Sequence, residues 1–443
     1  MEIKKTLVIS SNSANDLDVK IANIVINQEK GTIQEVNDLS SKENDIEYIA
    51  MPGFIDAHNH SRQIALQAFP ESGWKEPTSK PESDNEMKSI FKWFLLDALK
   101  AGVTYICDWP ELPLYDETGI IPEATEELGL QGCFRLLLEH DKGEKLPDPS
   151  KAAEKLEKLI KSNKPKNKSK NIQYAVWIPE ENKLEFNRPV LRFLGNLQAC
   201  LSKNESLFFQ MHLAENEGRK KACERALDKL IWEGLVKSSN KNRTVFIHAI
   251  WIDERDLTIL KKHKNNFGIV TCPKFSDGRL APIKDILSFG IPIGLGSDTS
   301  SPDPFSLIRK IISIHKSQEK SKHISIEEAF YMATLGGAEI FGMQNQIGSI
   351  KKDKYADIVL VKSPAAIDIN LFQENVEKEK KIKAIKRLFT RNVLRREHID
   401  TVYVKGKELV NNGKYIKDVV NEETIVKNGK NAAKEIMSRF NSF

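Results

Sequence analysis

The chain has 443 residues, 40% of them apolar, and its 67 Lys and Arg against 62 Asp and Glu leave a formal net charge of +5. That apolar fraction is ample for a packed core and that charge is a weak field at this length, so neither disorder nor electrostatic nucleic-acid binding is expected. Five cysteines (Cys107, Cys133, Cys200, Cys223 and Cys272) without a C-x-x-C pair argue against a disulfide framework or a thiolate zinc site, and with neither a signal-peptide core nor a bilayer-length apolar run the expected location is cytoplasmic, with no membrane partner.

Residues 1 to 50 alternate β-prone pieces (TLVIS, VKIANIVI, TIQEVN) with turns. From residue 53 to about 343 the pattern changes: strand-length apolar runs alternate with helical periodicity. The runs are GFIDAH (53–58), VTYICDW (103–109), CFRLLLEH (133–140), IQYAVWIP (172–179), LFFQMH (207–212), TVFIH (244–248), FGIVTCP (267–273) and IPIGLGSD (291–298), eight in all. Between them lie amphipathic stretches at 86–102, 152–162, 219–234 and 281–290. Strand and helix in alternation imply parallel strands with helical crossovers, and eight units is the count of a closed (β/α)8 barrel; an open doubly wound sheet shares the pattern.

β-prone segments return at 355–362 and 399–416, with helical pieces EEAFYMATLGGAEIFG before and AAKEIMSRF after. The expected organisation is α/β: a barrel over 53–345 and a small β-sandwich built from both termini, 1–52 and 346–443, with a helical C-terminal extension. The lysine-rich 161–171 lacks aromatic residues and reads as a solvated loop, and KEKKIKAIKR (378–387) as an exposed helix face. The Pro- and Ser-rich stretch 69–85 follows the first barrel strand and is expected over the mouth as a lid.

Five of the nine histidines fall at or just past strand ends: His58, His60, His140, His212 and His248. Strand ends form the C-terminal mouth where barrel active sites collect. His58 and His60, two apart, project from one face of a strand and can converge on a cation. His212 adds a third imidazole nitrogen from across the barrel, and Asp298, ending the eighth run, a carboxylate oxygen. Such a set suits zinc or Fe(II) and leaves a position for water, as catalytic sites do. Glu215, three residues after His212, is placed to carry protons, and His248, from the next strand, to orient the attacking oxygen.

The segments PGFIDAHNH, MHLAE, VFIHAIWID, TCPKFSDGRLAPIKDILSFGIPIGLGSD and ATLGGAEIFGMQNQIGSIKKDKYADIVLV together resemble the amidohydrolase superfamily, in its cytosine deaminase and chlorohydrolase-like branch, over about residues 45 to 362. The resemblance implies one divalent ion, zinc first and Fe(II) second, on His58, His60, His212 and Asp298. It assigns proton shuttling to Glu215, contact with the hydrolytic water or substrate to His248, and a base role to Asp298. It further implies hydrolytic deamination of a purine-, pyrimidine-, pterin- or triazine-class ring, with chlorohydrolase or amidase chemistry as the alternative and a non-catalytic metal-binding relative after that, and a homodimer as the assembly. Binuclear members carry a bridging lysine on an early barrel strand; IQYAVWIP, VTYICDW and CFRLLLEH contain none, so a single ion is expected.

Residues just past strand ends supply the pocket candidates: Arg62, Gln63, Trp109, Glu111, His140, Trp177, Lys274, Phe275 and Asp303. Aromatic walls with a few charges suit a flat polar ring. Where many relatives read C-P-x-S-N after the seventh strand, this chain reads Cys272-Pro273-Lys274-Phe275-Ser276-Asp277, and Glu180 follows Pro179 where relatives carry histidine; both departures point away from an adenosine-type substrate.

Overall fold

The computed structural model of the protein describes residues 1–39, 46–61, 83–109, 119–136, 148–162, 172–177, 188–201, 207–215, 227, 243–273, 279–318, 323–364, 367–416 and 421–440. The strands before the barrel are β1 (Glu2–Ser13), β2 (Asp16–Asn27), β3 (Thr32–Asp38) and β4 (Tyr48–Pro52). The eight expected runs follow as β5 (Phe54–Asn59), β6 (Val103–Asp108), β7 (Gln131–Leu136), β8 (Ile172–Trp177), β9 (Leu207–Leu213), β10 (Thr244–His248), β11 (Phe267–Thr271) and β12 (Ile293–Leu295). They pair in sequence order in one parallel sheet. First and last strands meet through a bridge between Asn59 and Asp298, the His60 N–H donating to Asp298 O (3.1 Å) and the Asp298 N–H to His58 O (3.0 Å). The backbone that joins the two ends of the sheet is thus that of the candidate metal ligands.

Helices α1 (Asp84–Lys100), α2 (Ile120–Leu128), α3 (Pro149–Ser162), α4 (Arg188–Leu201), α5 (Glu254–Lys262), α6 (Ile283–Ser288) and α7 (Pro304–Gln318) cover the outside. The sequence marks α1 clearly. Ser83 and Glu86 form a reciprocal capping box, and the helix stops at Gly102, whose φ of +84° only glycine adopts without strain. Met87, Ile90, Phe91, Phe94 and Leu95 on its inner face join the large outer core. Inside the cylinder Ile55, Ala57, Tyr105, Cys107, Cys133, Ala175, Phe208, Val245, Ile247, Val270 and Cys272 pack together, floored by Ala338, Ile340, Phe341 and Met343. With both faces of every strand covered, the strands read as continuous apolar runs. The 219–234 stretch, except Leu227, the lysine-rich 163–171 and residues 62–82 lie outside the described residues.

After α8 (Ile326–Ala333) and α9 (Leu335–Ile340), the chain adds β13 (Ile358–Lys362), α10 (Lys378–Thr390), β14 (Ile399–Val404), β15 (Lys407–Asn411), β16 (Lys414–Tyr415) and α11 (Glu422–Phe440). The two ends of the chain do meet: the order is β16-β15-β14-β13-β4-β1-β2-β3, a single hydrogen-bonded sheet around a core of its own that includes Ile3, Val8, Ile24, Ile26, Ile33, Ile358 and Leu360. β4 joins the two halves, parallel to β1 and antiparallel to β13, and leads through Gly53 directly into β5. α11 packs on α1, where Gly429 allows the approach; a Cβ there would lie 2.6 Å from that of Trp93. Among the described residues no helix is long and apolar enough to cross a membrane.

Asp357, just before β13, pins this sheet to the floor of the barrel. Its carboxylate accepts from Gln131 Nε2 (2.6 Å) and the Lys405 N–H (2.8 Å), and its carbonyl from the Gly53 N–H (2.8 Å). Burial pushes this carboxyl up to about 6 despite those donors. The folded state therefore holds the proton more tightly than the unfolded chain, and the group's contribution to stability falls as pH rises from the unfolded value through about 6. The stability of the wild type relative to Asp357→Asn should fall by about 3 kcal/mol between about pH 4 and about pH 7 in urea unfolding. Parallel pH curves for the two proteins would contradict this.

Candidate active site

His58 and His60 flank Asn59 at the top of β5, where the pairing register with β6 slips. Two residues apart, both imidazoles lie to one side while the Asn59 amide turns to the other, donating to Ser297 Oγ (2.6 Å) and Asp298 O (3.2 Å). The two Nε2 atoms lie 3.1 Å apart. On β9, Gln210 faces the barrel interior and donates to Cys107 Sγ, so His212, two residues on, faces inward as well. Its ring centroid is 5.0 Å from that of His58 and 5.9 Å from that of His60. One ligand atom from each of the three histidines lies within 4.8 Å of the others, and all three residues are buried. Asp298 Oδ1 stands 3.7 Å from His60 Nε2. Three buried imidazoles and one buried carboxylate gathered at the mouth are a donor set that fits Zn2+ or Fe(II).

Four non-glycine residues here have positive φ: Ala214 (47°), His248 (72°), Ala249 (50°) and Asp298 (57°). Left-handed backbone costs about 1 kcal/mol or more per residue and clusters where function requires a side chain to be aimed. At His248 it turns the imidazole toward the mouth although the preceding residue, Ile247, already packs inward. His248 Nε2 ends 3.8 Å from Asp298 Oδ2 and 4.0 Å from Glu215 Oε1. Glu215 keeps 22% of its side chain exposed, whereas the His248 side chain keeps 1%. A partly wet carboxylate beside a buried imidazole can exchange protons with both solvent and a bound molecule.

Two further carboxylates brace the candidate ligands from behind. Asp56 accepts the N–H (2.9 Å) and hydroxyl of Ser297, and burial pushes its carboxyl up to about 7. Asp108, at the end of β6, accepts the N–H (2.9 Å) and hydroxyl (2.7 Å) of Ser61, fixing the chain as it leaves His60. Each sits within one of the strand-end runs, GFIDAH and VTYICDW. An acid in an otherwise apolar strand was the available signal. Gly296 is closely hemmed in at the site: a Cβ there would come within 2.8 Å of His58 O and 2.9 Å of Cys272 Sγ. His58 O cannot retreat, because it accepts the Asp298 N–H that joins the ends of the sheet. Gly296→Ala should therefore cost about 1–3 kcal/mol in unfolding experiments and loosen metal retention on dialysis. Wild-type stability and metal content together would contradict that account.

The pocket candidates fare unevenly. Trp109 is buried, its ring 4.8 Å from that of His212 and 5.8 Å from that of His58, so it packs edge-on against the histidine cluster. Asp303 accepts the Ser306 N–H (3.0 Å) at the start of α7 and so caps that helix. Trp177 ends β8, and its side chain is outside the description. Arg62, Gln63, Glu111, His140, Lys274 and Phe275 lie outside the described residues.

A parallel eight-stranded barrel with imidazoles and a carboxylate gathered at its C-terminal mouth defines the class: barrel hydrolases that work with a divalent ion. Residues 49–409 match the profile of the amidohydrolase family. The chain is 26% identical over 412 residues to guanine deaminase of Rattus norvegicus, covering 85% of each chain. It is also 26% identical over 388 residues to 5-methylthioadenosine/S-adenosylhomocysteine deaminase of Halothermothrix orenii, covering 81% of this chain and 84% of that one. Its fold matches a zinc-bound adenosine deaminase from Xanthomonas campestris with a TM-score of 0.74 at 16% identity, over 99% of both chains. The chain belongs to the amidohydrolase family.

Proposed function

We propose that this protein is a metal-dependent aminohydrolase that replaces the amino group on an amidine-type ring carbon of a small nitrogen heterocycle with oxygen, releasing ammonia. The observation that carries the reading is the position of His248, 3.8 Å from Asp298 and 4.0 Å from Glu215, beside the three-histidine cluster. His58, His60, His212 and Asp298 would hold one ion, zinc first and Fe(II) second. When bound, such an ion supplies Lewis acidity that makes hydroxide available near neutral pH. Asp298 takes the proton that water gives up, through Oδ2, the oxygen nearer His248. His248 holds the attacking oxygen in line with the ring carbon. Glu215 protonates the adjacent ring nitrogen as the carbon becomes tetrahedral; the proton held by Asp298 then passes to the departing amine, Glu215 recovers a proton from the new hydroxyl, and as the C–N bond breaks the carbon becomes a carbonyl and ammonia leaves.

Both sequence relatives are deaminases of purine compounds, which supports deamination over halide or acyl release and puts purines first among substrates. In this reading the protein works in the cytoplasm, as a dimer, on a free small molecule. A screen for ammonia release over purines, pyrimidines, pterins and triazines tests it: ammonia from an amino-substituted ring is expected, with purines foremost. Chloride or acyl cleavage without ammonia would contradict it.

A further inference from the structure

We propose that His248, Cys272 and Asp298 form a second, inhibitory site for a soft divalent cation such as Zn2+ or Cd2+, joined to the first through the two oxygens of Asp298. This rests on the reading above that the histidine cluster holds an ion. Asp298 is placed to bridge: Oδ1 faces His60 Nε2 at 3.7 Å, and Oδ2 faces His248 Nε2 at 3.8 Å. Cys272 follows β11 directly and is buried at the top of the barrel interior, where Gly296 leaves room for its sulfur. One ligand atom from each of His248, Cys272 and Asp298 lies within 4.8 Å of the other two. Their separations exceed those in a closed tetrahedral site by an amount that small side-chain shifts can recover.

The chemistry of the set selects the cation. Imidazole, thiolate and carboxylate together suit Zn2+ and Cd2+ and discriminate against Mg2+ and Ca2+, which take oxygen ligands. Binding breaks the S–H bond of Cys272, forms a metal–sulfur bond and releases the proton to solvent. It also takes His248 Nε2 and Asp298 Oδ2 out of use, the two atoms proposed to orient water and accept its proton. Excess zinc should therefore switch the enzyme off at concentrations above those that load the first site.

The test is to titrate Zn2+ or Cd2+ into full-length protein already carrying one equivalent of zinc. A second equivalent should suppress turnover, Cd2+ should bring an ultraviolet thiolate-to-cadmium charge-transfer band, and zinc X-ray absorption should gain a sulfur scatterer at about 2.3 Å. Cys272→Ala and Cys272→Ser should retain one-ion turnover, lose the band, and raise the inhibition constant for excess zinc at least about tenfold, equivalent to about 1.4 kcal/mol. If neither variant folds, the sulfur scatterer in the wild type decides. Inhibition unchanged in the Cys272 variants, or a second ion with no sulfur neighbour, would overturn the proposal. Because the band and the scatterer are read without turnover, a protein that binds both ions yet releases no ammonia would refute the proposed activity and leave this site standing.

Discussion

Glu215→Gln is expected to keep its metal and its fold while turnover falls about 10²–10⁴-fold, the usual contribution of a placed acid–base group. Glu215 lies two residues past the end of β9, outside the histidine cluster, and its carboxylate reaches His248 Nε2 at 4.0 Å. Glutamine keeps the shape and the hydrogen-bonding reach but can neither take up nor release a proton at working pH. Turnover within tenfold of wild type, in a variant shown to be metal-replete, would exclude Glu215 as the proton carrier.

Asp298→Asn should be at least as damaging, with turnover down by about 10⁴-fold, because one substitution removes both a ligand charge and the proposed base. Asparagine is the informative choice here. The residue sits at φ +57°, which asparagine tolerates better than alanine, so backbone strain contributes little to the result. The variant should also lose its ion more readily on dialysis than Glu215→Gln does. If the two variants retained metal equally and Asp298→Asn still turned over, Asp298 would be neither ligand nor base.

Much of this site was legible in the chain itself, for a physical reason. A parallel barrel strand is covered on both faces and so must be apolar, which makes a histidine or aspartate at its end conspicuous; His58, His60, His212, His248 and Asp298 all stood out in that way. Spacing puts His58 and His60 on one side of their strand but does not aim His248. Alternation along β10 puts Ile247 inward, and His248 reaches the mouth only because its backbone turns left-handed. The roles of Asp56 and Asp108 are not legible in the sequence, because they bind Ser297 and Ser61 through contacts between segments far apart in the chain. For Trp109 and Asp303 the place just past a strand is legible in the sequence and the contacts are not: Trp109 packs edge-on against His212, and Asp303 accepts the Ser306 N–H at the start of α7.

In the fold, the eight runs were recoverable from their apolar character, whereas β4 was not. Five residues, Tyr48–Pro52, make a strand that pairs with both β1 and β13, and only those partners, one of them about 300 residues away, define it.

In the proposed mechanism an ion held by His58, His60, His212 and Asp298 drives ammonia release. Protein stripped with a chelator should release no ammonia from its amino-heterocycle substrate, and stepwise return of Zn2+ should restore the rate in proportion, reaching a plateau at one equivalent per chain. Full activity in the stripped protein, or a rate that does not follow ion content below one equivalent, would contradict it.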